Sequence, residues 1–449
     1  MTRPKFLACA VAATLLAVAA PASAKLTDVE AARLGTDLTP VGGEKAGNKD
    51  GTIPAWTGGL CAPPAGWTPA QGYTDPFPND KVQFTITKAN ATQYKDKLTP
   101  GTLAMLNKYE AFKMPVYTTR RTACLPQEAN DLIKSMATKI DLQGFGYVGG
   151  FSYTPFPIPK SGLEAIWNHV TRYLGGGVVR QYNTFPVRAN GDYYKITTEE
   201  RRVFYRNLDQ AKDNLLGVFM QRFLGPATLE GTVFLVHEPI DQVREQRSAW
   251  IYNSGQRRVR RAPDLSYDNI NDGTEGLRTT DQFDAFNGAP DRYDWKLVGK
   301  KEIYVPYNAY KLSNKKLKYK DDVVRKNTPN ADLMRYELHR AWEVEATLKP
   351  NSKHIYAKRV FYLDEDSWNV LYEDVYDTRK QLWRVSIHPA IQYYDAKVPW
   401  VRANIWHDLG NGSYLLTNLD NEIRTPWSFG AKAAWGDFQP DALRRLGTK

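Results

Sequence analysis

The chain has 449 residues, with 60 Lys and Arg against 49 Asp and Glu, a formal net charge of +11, and 12% aromatic residues. At 42% hydrophobic, 24% charged and mean hydropathy −0.52 it has globular composition, which excludes both a disordered chain and a polytopic membrane protein. Aromatic side chains suit a pleated, half-buried surface, so their abundance beside 27 Pro and 32 Gly points to β-structure with many turns.

Residues 1–24 have the three parts of a secretory leader: Arg3 and Lys5, an apolar run from Phe6 to Ala20, and the small residues Ala22-Ser23-Ala24. The expectation is a periplasmic protein cleaved after Ala24. Cleavage removes Cys9 and leaves Cys61 and Cys124, and two cysteines in an oxidising compartment predict one disulfide.

After the leader, Thr27 and Glu30 form a capping box for a short helix that Gly35 stops. The glycines and prolines from Pro40 to Gly59 then exclude regular structure, yet Trp56 and Leu60 predict an ordered loop lying across the body. Residues 88–112 are helical in pattern, with Leu103, Leu106 and Tyr109 at helix spacing, and Gln127 to Thr138 predicts another helix. Pro155, Pro157 and Pro159 mark a boundary near residue 160. Ser161 and Glu164 then open a helix with Leu163, Ile166, Trp167, Val170 and Leu174 on one face.

From residue 178 the period changes to two. Val178–Val187 and Asp192–Tyr205 flank Ala189-Asn190-Gly191-Asp192, a hairpin signal. The clearest strand is Met334–Leu348, where fifteen residues at about 3.3 Å each span roughly 50 Å. Ile355–Leu363, Asn369–Tyr376 and Gln381–Ile387 follow as a meander. The Lys-rich stretch 288–329 reads as an insertion or a loop with short strands. The fold expected is α+β and β-dominated: a long curved antiparallel sheet, an incomplete barrel, wrapped around helices. The divisions are a leader (1–24), a loop-rich helical segment (25–160) and a β domain (161–449).

Signatures of catalysis are sparse: no phosphate-binding loop, nucleophile elbow or paired-cysteine zinc pattern occurs. His169, His237, His339, His354, His388 and His407 are scattered, and Asp364-Glu365-Asp366 reads as a solvated turn rather than a metal site. No catalytic residue, metal or cofactor is assigned, and the chain is not read as an enzyme. In a strand over Gln256–Arg261, Arg258 and Arg260 face one way, which makes them candidates for an anionic head group. The alternative is a solvated edge guarded by charge. Nucleic acid is not an expected partner of an exported chain.

The runs Leu38–Gly42, Gly47–Gly59, Phe156–His169 and Ser367–Asp377 resemble the DUF1329 family of Gram-negative exported proteins, from about residue 26 to near the C-terminus. Its strand-rich part is similar to the periplasmic lipoprotein carriers and their outer-membrane receptors, where an incomplete barrel wraps a helical plug around an apolar cavity. Tyr252–Pro263 and Lys358–Tyr376 resemble strand pairs of that superfamily. The resemblance implies a periplasmic carrier or chaperone for a hydrophobic, lipid-like ligand, working beside a resistance-nodulation-division type transporter or an outer-membrane protein. The alternatives are an accessory protein of an envelope machine without its own ligand, and a hydrolase acting on lipids or cell wall. The expected cavity lining is Trp250, Tyr252, Met334, Tyr336, Leu338, Trp342 and Val344.

Overall fold

The computed structural model describes residues 25–447 except 211, 264 and 266; the predicted leader lies outside the described residues. The capping box forms as its spacing requires. Thr27 Oγ1 accepts from the Glu30 N–H at 3.2 Å, the Glu30 carboxylate accepts from the Thr27 N–H at 2.8 Å, and the helix runs Asp28–Ala32. The loop that follows is pinned to the body. Trp56 Nε1 donates to the Ala123 carbonyl at 3.1 Å, and Cys61 is bonded to Cys124 with their Cα atoms 5.5 Å apart.

The helical stretch expected over 88–112 divides at Pro100. A 3₁₀ turn covers Ala91–Lys97, and an α-helix covers Pro100–Lys108 with Thr99 as its cap. Proline has no N–H to continue the preceding turn, but it fits the first helical position, where that donor is not needed. The helices Gln127–Met136 and Gly162–Thr171 lie where their patterns place them, and Ser161 caps the second.

The core of the fold is a 16-stranded sheet that does not close. In space its main strands run Tyr293–Pro306, Tyr336–Leu348, Lys358–Asp364, Val370–Tyr376, Leu382–Ile387, Asn404–Asp408, Tyr414–Leu419, Gly177–Val187, Ile196–Phe204, Leu215–Gly225, Val233–Pro239, Ser248–Asn253 and Arg258–Arg261. Two antiparallel meanders therefore meet where Tyr414–Leu419 pairs with Gly177–Val187. The two edges, Arg258–Arg261 and Tyr293–Pro306, are successive strands in the chain. Residues 262–292 run from one edge to the other across a single face of the sheet, the inner face.

Both faces are covered, and strand parity decides which side chain goes where. On the inner face Val344, Phe361, Val178 and Tyr182 pack with Ala165 and Ile166 of the helix Gly162–Thr171 and with the hairpin Ala390–Tyr393/Val398–Val401. On the outer face Val385, Ile387, Ile405 and Leu416 pack with Met105 and Leu106 of the helix Pro100–Lys108. Further along that face Val218, Val233 and Leu235 meet Phe438 and Leu443, from the end of the chain.

One expectation is overturned. Part of the stretch 288–329 is not a loop with short strands: while 307–329 is irregular with short helical turns, Tyr293–Pro306 is a 14-residue strand paired along the whole of Tyr336–Leu348. Its register shifts between Leu297 and Gly299, so Leu297 pairs with Val344 while Gly299 pairs with Glu343. The extra residue, Val298, exchanges the inward and outward sets. Trp295 and Leu297 share one parity before it, Lys300 and Glu302 after it, and the alternation that marks a strand in sequence is erased.

Candidate functional site

The inner face is filled over the C-terminal meander and open over the N-terminal one. Along Gly177–Val187 the even residues point inward, as they do along Ile196–Phe204 and Val233–Pro239; along 217–223 the odd ones do. That parity gathers Ile196, Phe219, Phe223 and Phe234 around a cavity roofed by Leu265 and Phe283 of the crossing segment. The space between these walls is about 1280 Å³ counting its open mouth, of which about 120 Å³ admits the centre of a water molecule. A single water needs roughly 10–15 Å³ on that measure. Exposed Asp272 stands at the mouth.

The deeper wall is cationic. Arg180, Arg202, Arg247 and Arg278 line the cavity, and Arg172 lies just behind it. Arg180 is 2.6 Å from Glu200, Arg247 is 2.5 Å from Glu238, and Arg202 is 3.2 Å from Glu200 and 3.1 Å from Asp284. Arg180 also lies over the rings of Trp400 and Trp427, at 4.4 and 4.6 Å from their centres.

Asp284 fastens the crossing segment to this wall. Its Oδ1 is 2.9 Å from Arg172 Nη2 and accepts from Trp400 Nε1 at 2.8 Å, while Oδ2 accepts from Arg202 Nη1 at 3.1 Å. Burial opposes its charge, but Arg172 and Arg202 overcome that and hold its carboxyl below the usual range. The Asp284 carbonyl is 2.8 Å from His169 Nε2, and His169 Nδ1 is 3.2 Å from the Val370 amide nitrogen. Burial, aided by Arg172, lowers His169 to about 3. The ring is therefore neutral, with Nε2 facing the Asp284 carbonyl and Nδ1 facing both the Val370 N–H and, at 3.0 Å, the Trp368 carbonyl.

A second buried knot secures the same segment. Arg359 bonds Glu373 at 2.6 Å and Asp281 at 2.8 Å, and Gln282 Nε2 donates to Glu373 at 2.7 Å. Asp364, Glu365 and Asp366 are buried, not solvated as their place in a turn suggests. Arg121 forks onto both oxygens of Asp366, at 2.7 and 2.8 Å, and Lys300 reaches Glu365 at 2.9 Å. One potential ligand atom each from His339, Asp364 and Asp366 falls within 4.8 Å of the others. Burial and then the nearby Asp366 push Asp364 up to about 6, and Tyr307 and Ser367 already bond its Oδ2.

The seven residues expected to line a cavity do not line this one. Trp250 and Tyr252 pair with Leu235 and Val233, which puts them on the outer face. Met334, Tyr336 and Leu338 are buried in the core that holds Met105. Val344 and Trp342 do face inward, but against filled core: Val344 packs with Phe361, and Trp342 stacks on Trp368 with ring centres 6.3 Å apart. Arg258 and Arg260 sit exposed on the edge strand and share inner parity, opposite Asn253 and Ile251. The cysteine pair is bonded as expected. The cavity residues were missed because Arg180, Glu200 and Arg202 alternate in the sense that normally marks a solvated face. The one available signal was the alternation of Phe219, Phe223 and Phe234 in the neighbouring strands.

These features define a class: an unclosed, almost wholly antiparallel β-sheet folded over helices, with a cavity under the segment joining its edges. The chain belongs to DUF1329, described as a protein family of unknown function, whose profile matches residues 85–444. It is 50% identical over 428 residues to the uncharacterized protein PA3922 of Pseudomonas aeruginosa, covering 94% of each chain. Solved structures give weaker likenesses. A putative outer membrane lipoprotein-sorting protein domain from Vibrio parahaemolyticus matches with TM-score 0.45 and 15% identity, over 63% of this chain and 98% of that one. A DUF1329 family protein from Desulfovibrio piger gives 0.41 and 15%, over 60% and 92%, and a LolA superfamily protein from Nitrosomonas europaea gives 0.39 and 11%, over 63% and 100%.

Proposed function

We propose that the protein is a periplasmic carrier or chaperone whose cavity holds a hydrophobic, lipid-like ligand. The observation that carries the reading is the contrast along one face of one sheet: helix and hairpin fill it over the C-terminal meander, while Phe219, Phe223 and Phe234 surround open space over the N-terminal one. Apolar surface left open in this way stabilises a protein most when a ligand removes it from water. The Cys61–Cys124 bond fits an oxidising, exported setting. A transporter of the resistance-nodulation-division type or an outer-membrane protein would supply or receive the ligand.

A hydrolase needs a base beside a nucleophile. On this wall Glu238 and Asp284 are both ion-paired with arginines, so neither is a free base. The test is titration of delipidated protein with fatty acyl, sterol and phospholipid probes. Saturable binding of one molecule per chain is expected, and its absence for every probe ends the carrier reading.

A further inference from the structure

Around the cavity the guanidiniums of Arg172, Arg180, Arg202, Arg247 and Arg278 face the carboxylates of Glu200, Glu238 and Asp284. Every one of these arginines except Arg278 has a carboxylate within 3.2 Å. Among the described residues Arg278 has no carboxylate in ion-pairing range, and its recorded hydrogen bond is from Nη1 to the Thr279 carbonyl at 3.2 Å. The two acids three residues away along the chain are already committed: Glu275 accepts from the Tyr194 hydroxyl, and Asp281 accepts from Thr279 at Oδ1 and is held by Arg359 and His354 at Oδ2. Arg278 is nonetheless only 9% exposed, and burial brings its guanidinium down to about 10. A buried charge without a counter-charge costs several kcal/mol.

Two neighbours show what would satisfy it. The guanidinium lies 5.4 Å from the ring centre of Trp406 and 5.6 Å from that of Phe283, and both rings line the same cavity. Trp406 is 2% exposed, and its Nε1–H has no acceptor. The unpaired cation and the orphaned Trp406 donor therefore stand on one wall, where Arg180 Nη1, Arg202 Nε and Arg247 Nε also lack acceptors, while Phe219, Phe223, Phe234 and Leu265 form the apolar remainder.

Resting on the carrier reading, we infer that the ligand is an amphiphile with a single acidic head group, carboxylate or phosphate, whose anion is received by Arg278 with its apolar chain along the phenylalanines. Planar guanidinium matches either head group with paired N–H donors. The other four arginines are paired with Glu200, Glu238 and Asp284, which leaves Arg278 as the unpaired cation among them.

The experiment is calorimetric titration of the delipidated mature chain, below the aggregation limit of each probe, with hexadecanoate, hexadecyl phosphate and hexadecan-1-ol. A charge-assisted bond in a desolvated site predicts that at least one acid binds about ten- to a hundredfold tighter than the alcohol. Which acid wins separates a fatty-acid from a phospholipid-like source. Arg278→Gln is expected to bring both acids to the level of the alcohol, to leave the alcohol unchanged, and to unfold at no lower denaturant than the parent; Arg278→Lys is expected to restore part of the preference. An alcohol that binds as well as the acids, or an Arg278→Gln chain that keeps the preference, overturns the head-group inference while leaving the carrier reading standing. An Arg278→Gln chain that is destabilised also overturns it, because the guanidinium is then structural. No binding of any of the three chains defeats the carrier reading itself.

Discussion

Replacing Asp284 by Asn tests whether the crossing segment is held by charge. The change keeps the shape but removes the negative charge from an ion pair with Arg172 at 2.9 Å and a hydrogen bond from Arg202 at 3.1 Å, and it unsettles the bond from Trp400 at 2.8 Å. All three partners are buried, so their cations are left without a full counter-charge. Removing one member of a buried pair costs about 3–5 kcal/mol, a large share of the roughly 5–15 kcal/mol that holds a typical protein folded. The sign with pH follows from the depressed carboxyl. Its stabilisation is fully present above the unfolded value of 3.8 and is lost as pH falls towards the lower folded value. Chemical unfolding followed by tryptophan fluorescence at pH 7 and at successively lower pH reads both effects. The variant is expected to lose about 3–5 kcal/mol at pH 7, with the gap narrowing below pH 4. A loss under 1 kcal/mol at pH 7, or a gap constant through the acid range, would refute the ionic anchor.

Burial and the nearby Glu373 and Glu343 raise Asp374 from 3.8 to about 7, against the Gly101 N–H that bonds its Oδ2 at 2.9 Å. The folded chain thus favours the protonated acid, and stability falls as pH rises from about 4 through 7. Asp374→Asn should be more stable than the parent at pH 8, by at most about 4 kcal/mol at 1.36 kcal/mol per pH unit, and no different at pH 4; equal unfolding midpoints at pH 8 would contradict this. The Cys61–Cys124 bond spans a sequence separation of 63, so Cys61→Ser should cost about 4 kcal/mol by loop entropy in denaturant melts, and a loss below 1 kcal/mol would mean the loop is ordered without it. Leu443 is fully buried against the outer face, so Leu443→Ala should cost about 2–5 kcal/mol in the same melts; a smaller loss would mean the terminal helix is not part of the core.

Much of the architecture was legible in the sequence because its alternation is local. Tyr336–Leu348 keeps an unbroken register along Lys358–Asp364, and a period of two needs no tertiary knowledge to be seen. Tyr293–Pro306 escaped because one bulged residue at Val298 inverts the pattern halfway. The cavity escaped for a different reason. Apolar alternation identifies a buried face, and this sheet has two, so Trp250 and Tyr252 satisfy the pattern by packing outward on Phe438 and Leu443. Only the path of the rest of the chain decides which face stays open. Charge misled as well: Arg180, Glu200 and Arg202 look like a wet surface until their partners arrive from Asp284 and the neighbouring strand.

The segment 262–292 is to the sheet what a string is to a bow, tied at both tips because the edges it joins are successive strands. It is also knotted to the wood partway along, at Asp281 on Arg359 and at Asp284 on Arg172 and Arg202. On the proposed carrier reading, a guest beneath the string could not splay one limb alone, and the length of chain between the edge strand and the knot at Asp281 would set the largest guest the bow admits. Adding residues at the exposed Asp272 tip would enlarge that limit without disturbing either knot.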